Sequence, residues 1–121
     1  MTYYTSNKAG KTRSVNITAE TEDQTDTIYT CPSNTRAHMP LLYIKNVSGG
    51  NCTVRVVWNR ADGSQAYILG GKNFSNGEYI QWSGAFIVFE PGDTMVVTPS
   101  NNASPRIDAF VTVEEFYITN Q

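Results

Sequence analysis

Titratable chemistry is scarce in this sequence. It holds one histidine, His38, and no nucleophile elbow or comparable setting for an activated serine. General acid–base and nucleophilic catalysis need a group that titrates near neutrality. A lone histidine between Ala37 and Met39, at a strand entrance, reads as structural or surface, and no catalytic role is expected. Cysteine is nearly as rare. Cys31 and Cys52 are separated by 20 residues with no CxxC or Cys/His spacing, which excludes the usual zinc and redox patterns. Two reduced, half-buried thiols are the favoured reading, and a bridge between adjacent strands is the competing one.

Positive charge is thin as well. The 9 basic residues are scattered singly against 11 acidic ones, a net charge of −2, and form no stripe able to track a phosphate backbone. Nucleic acid is not an expected partner. Long apolar runs are missing: even Ala85–Phe89 falls far short of the roughly 20 residues of a membrane-spanning helix, so a soluble chain with no membrane partner is expected. Residues Met1 to Lys8 show neither a basic start followed by an apolar run nor a small-residue cleavage site, so no export signal is expected. The Asn-x-Ser/Thr matches at Asn16, Asn46, Asn51, Asn73 and Asn102 then read as chance products of an Asn- and Thr-rich chain. Sustained helical periodicity with caps is absent too, leaving room for at most a stray helical turn.

What is present is strand and turn. Val15 and Ile17 alternate within Thr12–Thr18, and Thr27–Cys31 carries Ile28 and Tyr29. Leu41–Val47 ends at Ser48-Gly49-Gly50-Asn51, which reads as the turn of a hairpin into the next strand. That next strand is the clearest of all, with Cys52, Val54, Val56 and Trp58 on one face and Thr53 and Arg55 on the other. The Asp62-Gly63 turn predicts a second hairpin into Gln65–Leu69, which Gly70-Gly71-Lys72 then breaks. Gly70-Gly71-Lys72 lacks the spacing of a phosphate loop and reads as a turn.

Tyr79–Trp82 leads to the almost continuously apolar Ala85–Phe89, expected to be buried on both sides. Glu90-Pro91-Gly92-Asp93 has the Pro-then-Gly order of a type II turn before Thr94–Thr98. Ile107, Ala109, Val111 and Val113 alternate, then Phe116 and Ile118 do so in the other phase, so a bulge is expected at Glu114-Glu115 within one long bent strand.

These segments, about nine strands, are most economically closed as two packed antiparallel sheets: an all-β sandwich of jelly-roll type. Residues 1–11 lack the pattern and read as a flexible N-terminal arm, leaving 12–121 as a single β-sandwich domain. Glu20, Glu22, Asp23 and Asp26 cluster without the spacing of an EF-hand loop and read as a solvated acidic loop, so neither metal nor cofactor is expected. Trp58 sits on the apolar face of its strand and should fill the core, whereas Trp82, beside Ser83-Gly84, is the better candidate for an exposed ring.

The succession of Leu41–Val47, Cys52–Trp58, Ile80-Gln81-Trp82, Glu90–Val97 and Val113-Glu114-Glu115-Phe116 resembles small virion structural proteins of tailed bacteriophages, particularly marine and cyanobacterial ones. The resemblance spans roughly residues 12–118. It implies a non-enzymatic virion protein, made in the host cytoplasm and present in many copies. The leading role it implies is a capsid decoration subunit held by its surface and arm, with a tail or head–tail adaptor component as the alternative. Its implied partners are itself, as a homo-oligomer, and other virion proteins, such as the major capsid protein or a tail component. Tyr3, Tyr4, Lys8, Lys11 and Trp82 are the expected interface residues. A carbohydrate-binding β-sandwich module, using exposed aromatics, is the rival from another class.

Overall fold

Alternating apolar and polar side chains lay down ten strands: β1 (Thr2–Tyr4), β2 (Lys11–Ala19), β3 (Asp26–Thr30), β4 (Thr35–Asn46), β5 (Cys52–Asn59), β6 (Gln65–Phe74), β7 (Tyr79–Ser83), β8 (Val88–Phe89), β9 (Thr94–Ser100) and β10 (Ile107–Asn120). The computed structural model describes residues 2–4, 11–84 and 87–120, with side chains for 11–84 and 87–118. No helix occurs among the described residues, so none is long and apolar enough to cross a membrane.

The strands form two sheets of six and four. In the larger one β10 and β4 lie side by side at the centre. β1 and β2 share the outer edge of β10, and β7 and β8 share the outer edge of β4. The smaller sheet runs β3-β9-β5-β6, and every pairing is antiparallel. An order of β2-β10-β4-β7 over β3-β9-β5-β6 is that of a jelly roll, so the expected two-layer sandwich is what forms.

The core lies between the layers. Leu42 and Ile44 of β4 and Ile107, Ala109, Val111 and Val113 of β10 meet Val54, Val56, Met95 and Val97 from the smaller sheet, all with no exposure to solvent. Phe74 and Phe89 fill the ends. Deleting such a ring would cost about 3–5 kcal/mol, because a rigid two-sheet core closes poorly over the void.

Five local expectations change in three dimensions. β4 and β5 do not form a hairpin; they lie in different sheets, and residues 47–51 cross between them. The crossing is held by the fully buried Asn46, whose Nδ2 donates to the carbonyls of Gly50 (2.8 Å), Phe74 (3.1 Å) and Ser75 (3.2 Å). Its Oδ1 accepts from the Ser48 amide at 2.9 Å.

β6 is not broken at Gly70-Gly71-Lys72. It runs through to Phe74 and absorbs its irregularities as two register shifts against β5, with Gly71 at φ 112°. Of Ala85–Phe89, residues 85 and 86 lie outside the described residues; Ile87 and Phe89 are buried, but Val88 is 46% exposed on the outer side. A strand at the sheet edge covers one face only, so the run is not buried on both sides.

The bulge sits on β4, not at Glu114-Glu115. Thr112 pairs with Leu41 and Glu114 with His38, so Met39-Pro40 oppose Val113 alone, while β10 pairs with β2 without interruption to Glu115. Proline has no N–H to give to a ladder, and the extra residue accommodates it. The fifth change, at Trp82, belongs to the surface described next.

The hairpin β5–β6 closes at Gly63 (φ 93°), as its Asp-Gly turn predicts. The type II turn at 90–93 forms as well, with Gly92 at φ 89° and the Asp93 amide donating to the Glu90 carbonyl at 3.0 Å.

Candidate functional site

Because β10 faces the core with its odd-numbered residues, its even-numbered ones stand on the outside of the larger sheet. The pairing register lines them up with β4 in rows: Asp108 beside Lys45, Phe110 beside Tyr43, Thr112 beside Leu41, and Glu114 beside His38. β7 and β8 extend the rows with Tyr79 beside Lys45, Gln81 beside Tyr43, Ser83 beside Leu41 and Val88 beside His38.

The middle of this face is apolar. Tyr43 and Tyr79 stack with ring centroids 5.5 Å apart, and His38 packs against Phe116 at 5.1 Å. Tyr79 is 58% exposed and Val88 46%. These are two outward clusters on one sheet face, separated by the row of Thr112, Leu41 and Ser83, and exposed apolar groups gathered on one face are a feature of contact surfaces.

A cleft of about 320 Å³ opens at the edge of the sandwich, lined by Trp58, Arg60, Asp62, Val88, Glu90 and Asp93. Trp58 packs against the core as its strand face predicts, its ring 5.8 Å from that of the buried Phe89, but only half-buried: its indole N–H donates to Asp93 Oδ2 at 3.2 Å, and the Arg60 guanidinium lies over its ring at 4.3 Å. Asp93 is buried and accepts two further N–H groups, from Ala61 (2.8 Å) and Glu90 (2.9 Å), fixing the cleft wall. With the charged cap of Arg60 on it, the ring face is not open for stacking a ligand.

A second hollow of about 190 Å³ lies near the start of β2 and is lined by Lys11, Arg13, Ser33, Thr35, Glu115 and Tyr117. Glu115 is buried there, accepting from the Tyr29 hydroxyl at 2.7 Å with Arg13 Nε 3.5 Å away. Burial, and then the bond to Glu115, push the Tyr29 phenol above its ordinary pKa, so it stays a donor.

The expected interface residues do not converge. The backbone of Tyr3 and Tyr4 pairs with Thr119 and Ile118, Lys8 lies outside the described residues, and Lys11 is exposed at the head of β2. Of the 1–11 arm, residues 1 and 5–10 lie outside the described residues. Trp82 pairs in register with the buried Leu42 and packs half-buried against the core; the exposed aromatic of β7 is Tyr79. The exposed-aromatic role thus passes from Trp82 to Tyr79, since successive residues of a strand face opposite sides.

Neither cysteine is bridged; both are buried, Cys31 donating to the Thr35 carbonyl at 3.3 Å and Cys52 to that of Ser100 at 3.4 Å. Among the described residues no three His, Cys, Asp or Glu side chains converge as metal ligands, and Glu20, Glu22 and Asp23 point to solvent.

The outer face as a whole does not show in any one strand's pattern, because its aromatics come together only through strand pairing. The signal was there: Tyr43 and Phe110 occupy the phase of their strands opposite to the buried aliphatics, where a monomer would carry polar groups.

No family model matches the chain, and no curated protein matches it. Solved structures do resemble it. A subunit described under "Bacillus endospore appendages form a novel family of disulfide-linked pili" is 14% identical with a TM-score of 0.57, covering 91% of this chain and 89% of that one. PirA is 18% identical with a TM-score of 0.49, covering 86% of this chain and 92% of its own. The globular domain of the zebrafish complement 1qA protein is 14% identical with a TM-score of 0.49, covering 88% and 95%. At these identities the likeness is one of fold: the chain is a small two-sheet β-sandwich.

Proposed function

We propose that this protein is a non-enzymatic assembly subunit, working through the outer face of its larger sheet, and that its setting is a phage virion, where it decorates the capsid. The observation that carries the reading is the aromatic cluster of Phe110, Tyr43 beside it and Tyr79 diagonally across from Tyr43, on three adjoining strands of the outer face. A stiff sandwich with one sticky face is suited to repeated docking, in which burial at the interface supplies the energy and nothing is turned over. The resemblance of residues 12–118 to tailed-phage virion proteins supplies the setting, and the N-terminal arm supplies a second contact with the particle.

The test is incorporation. In purified particles the protein should be found by mass spectrometry, at capsid positions in electron-microscopy maps; a tail or head–tail location would move it to the alternative role. Tyr43→Asp with Tyr79→Asp, and separately removal of residues 1–10, should each lower its copy number. Absence of the wild-type chain from particles would sink the virion reading.

The cleft at Trp58 favours one second reading, a carbohydrate-binding module, since a hollow of about 320 Å³ with Asp62 and Glu90 at its rim has room for a sugar unit. Glycan binding lost on Trp58→Ala would promote it. The Arg60 cap on the indole argues the other way.

A further inference from the structure

The outer face of the larger sheet carries a pattern beyond its greasiness. Lys45 and Glu114 form no ion pair among the described residues, and Asp108 is held by a neutral group alone, the Thr18 hydroxyl at 3.1 Å. All three are partly exposed at the two ends of the apolar rows, with Lys45 and Asp108 at one end and Glu114 and His38 at the other.

These positions are complementary to themselves. If a second copy is laid face to face about a two-fold axis running along the strands between β10 and β4, β10 of each copy covers β4 of the other, row for row. Asp108 then meets Lys45, Phe110 meets Tyr43, Thr112 meets Leu41 and Glu114 meets His38, each contact occurring twice. The other in-plane two-fold, across the strands, would lay β10 on β10 with the rows reversed and bring Asp108 onto Glu114, like charge on like. Packed sheets cross at about −30°, which loosens the end rows most, where Lys45 has length to spare.

We infer that this face binds a second copy of the same chain as an isologous pair, with Phe110 and Tyr43 at its centre and Lys45–Asp108 setting its orientation. The inference rests on the assembly reading above and names its first partner. Two strands and nine residues cover roughly 10 Å by 30 Å, about 600 Å² over both copies and below the size of a stable interface, so the pair is weak and forms reversibly, on the order of 10⁻⁵ to 10⁻⁴ M.

Charge exchange tests the geometry. Sedimentation velocity across that concentration range should show wild-type monomer and dimer in equilibrium. Lys45→Asp alone sets two carboxylates opposite each other twice, and Asp108→Lys alone does the same with two amines, so each should dimerise about tenfold more weakly or worse. An equimolar mixture of the two variants restores opposite charges at both contacts and should dimerise like wild type. Circular dichroism melting of each variant at the wild-type temperature verifies that the fold is intact.

A wild-type chain that stays monomeric, single variants that pair normally, or a mixture that does not recover would each overturn the inference. Failure here with normal incorporation into particles leaves the assembly reading in place. Pairing here with no incorporation removes the virion reading instead.

Discussion

The hydroxyl of Tyr29, on the smaller sheet, donates to Oε2 of Glu115, on the larger one, across 2.7 Å of buried space. It is a polar rivet between the layers near one end of the sandwich, joined side chain to side chain. Arg13 approaches the same oxygen at 3.5 Å and lies 6.0 Å from the Tyr29 ring centroid. Tyr29→Phe leaves a carboxylate that is only 8% exposed short of a donor and should cost about 1–3 kcal/mol in urea unfolding. Arg13→Gln, at a side chain 42% exposed, should cost less, about 1 kcal/mol at most. The reverse order would show that Arg13, and not the phenol, holds Glu115 in place.

Alkaline pH should loosen the fold. Burial raises the Cys31 thiol from 9.0 to about 11, and Tyr29 rises above its ordinary 10.0. Both groups are neutral when protonated. Above pH 9 the unfolded chain therefore releases protons that the folded chain keeps, and unfolding becomes easier as pH rises toward 11. The contribution of Cys31 is complete below pH 9 and amounts to about 2–3 kcal/mol lost by pH 11. Denaturation midpoints at pH 8 and pH 11 measure it. Cys31→Ala should flatten the decline, and a midpoint independent of pH in the wild type would refute the assignment.

Asn46 is the joint at which two crossing loops meet the sandwich. Asn46→Ala removes the donor from the buried carbonyl of Phe74 and from the partly exposed ones of Gly50 and Ser75, and about 2–3 kcal/mol should be lost. Amide hydrogen exchange should rise at Ser48 and Gly77, whose N–H groups bond to the Asn46 side chain and carbonyl. Unchanged exchange there would mean that other contacts fix the loops.

Gly92→Ala probes the type II turn. The residue has φ 89°, and an added Cβ would sit 3.2 Å from that of Ala61, beside the Trp58 cleft. Backbone strain and crowding together predict a loss of about 1–2 kcal/mol, read as a lower melting temperature. A neutral substitution would show that the turn can change type without cost.

Strand identity was readable in the sequence wherever one strand's own pattern decided it. β5 alternates cleanly, and Pro91-Gly92 can hardly do anything but turn. What one strand does not record is its partner. Ser48-Gly49-Gly50-Asn51 suits a hairpin or a crossing equally well by composition, and the buried Asn46 decides for the crossing. The phase change in β10's apolar residues does not mark a bulge in β10. Glu115 continues the inward series of β10 as a buried carboxylate, and the slip belongs to Met39-Pro40 opposite it. The arrangement of the candidate face was half legible, since Tyr43 and Phe110 visibly break the polar phase, but their adjacency depends on a pairing that spans most of the chain.

The place of β10 sets a schedule for the ribosome. It lies between β2 and β4, yet it is made after both of them and after every other strand it touches. Until its residues emerge, a nascent chain holds two unmatched strand borders with a slot between them, and the larger layer cannot close. Folding must wait for translation to reach residue 107 and beyond, and a chaperone that shields bare strand borders would have its main work in that interval.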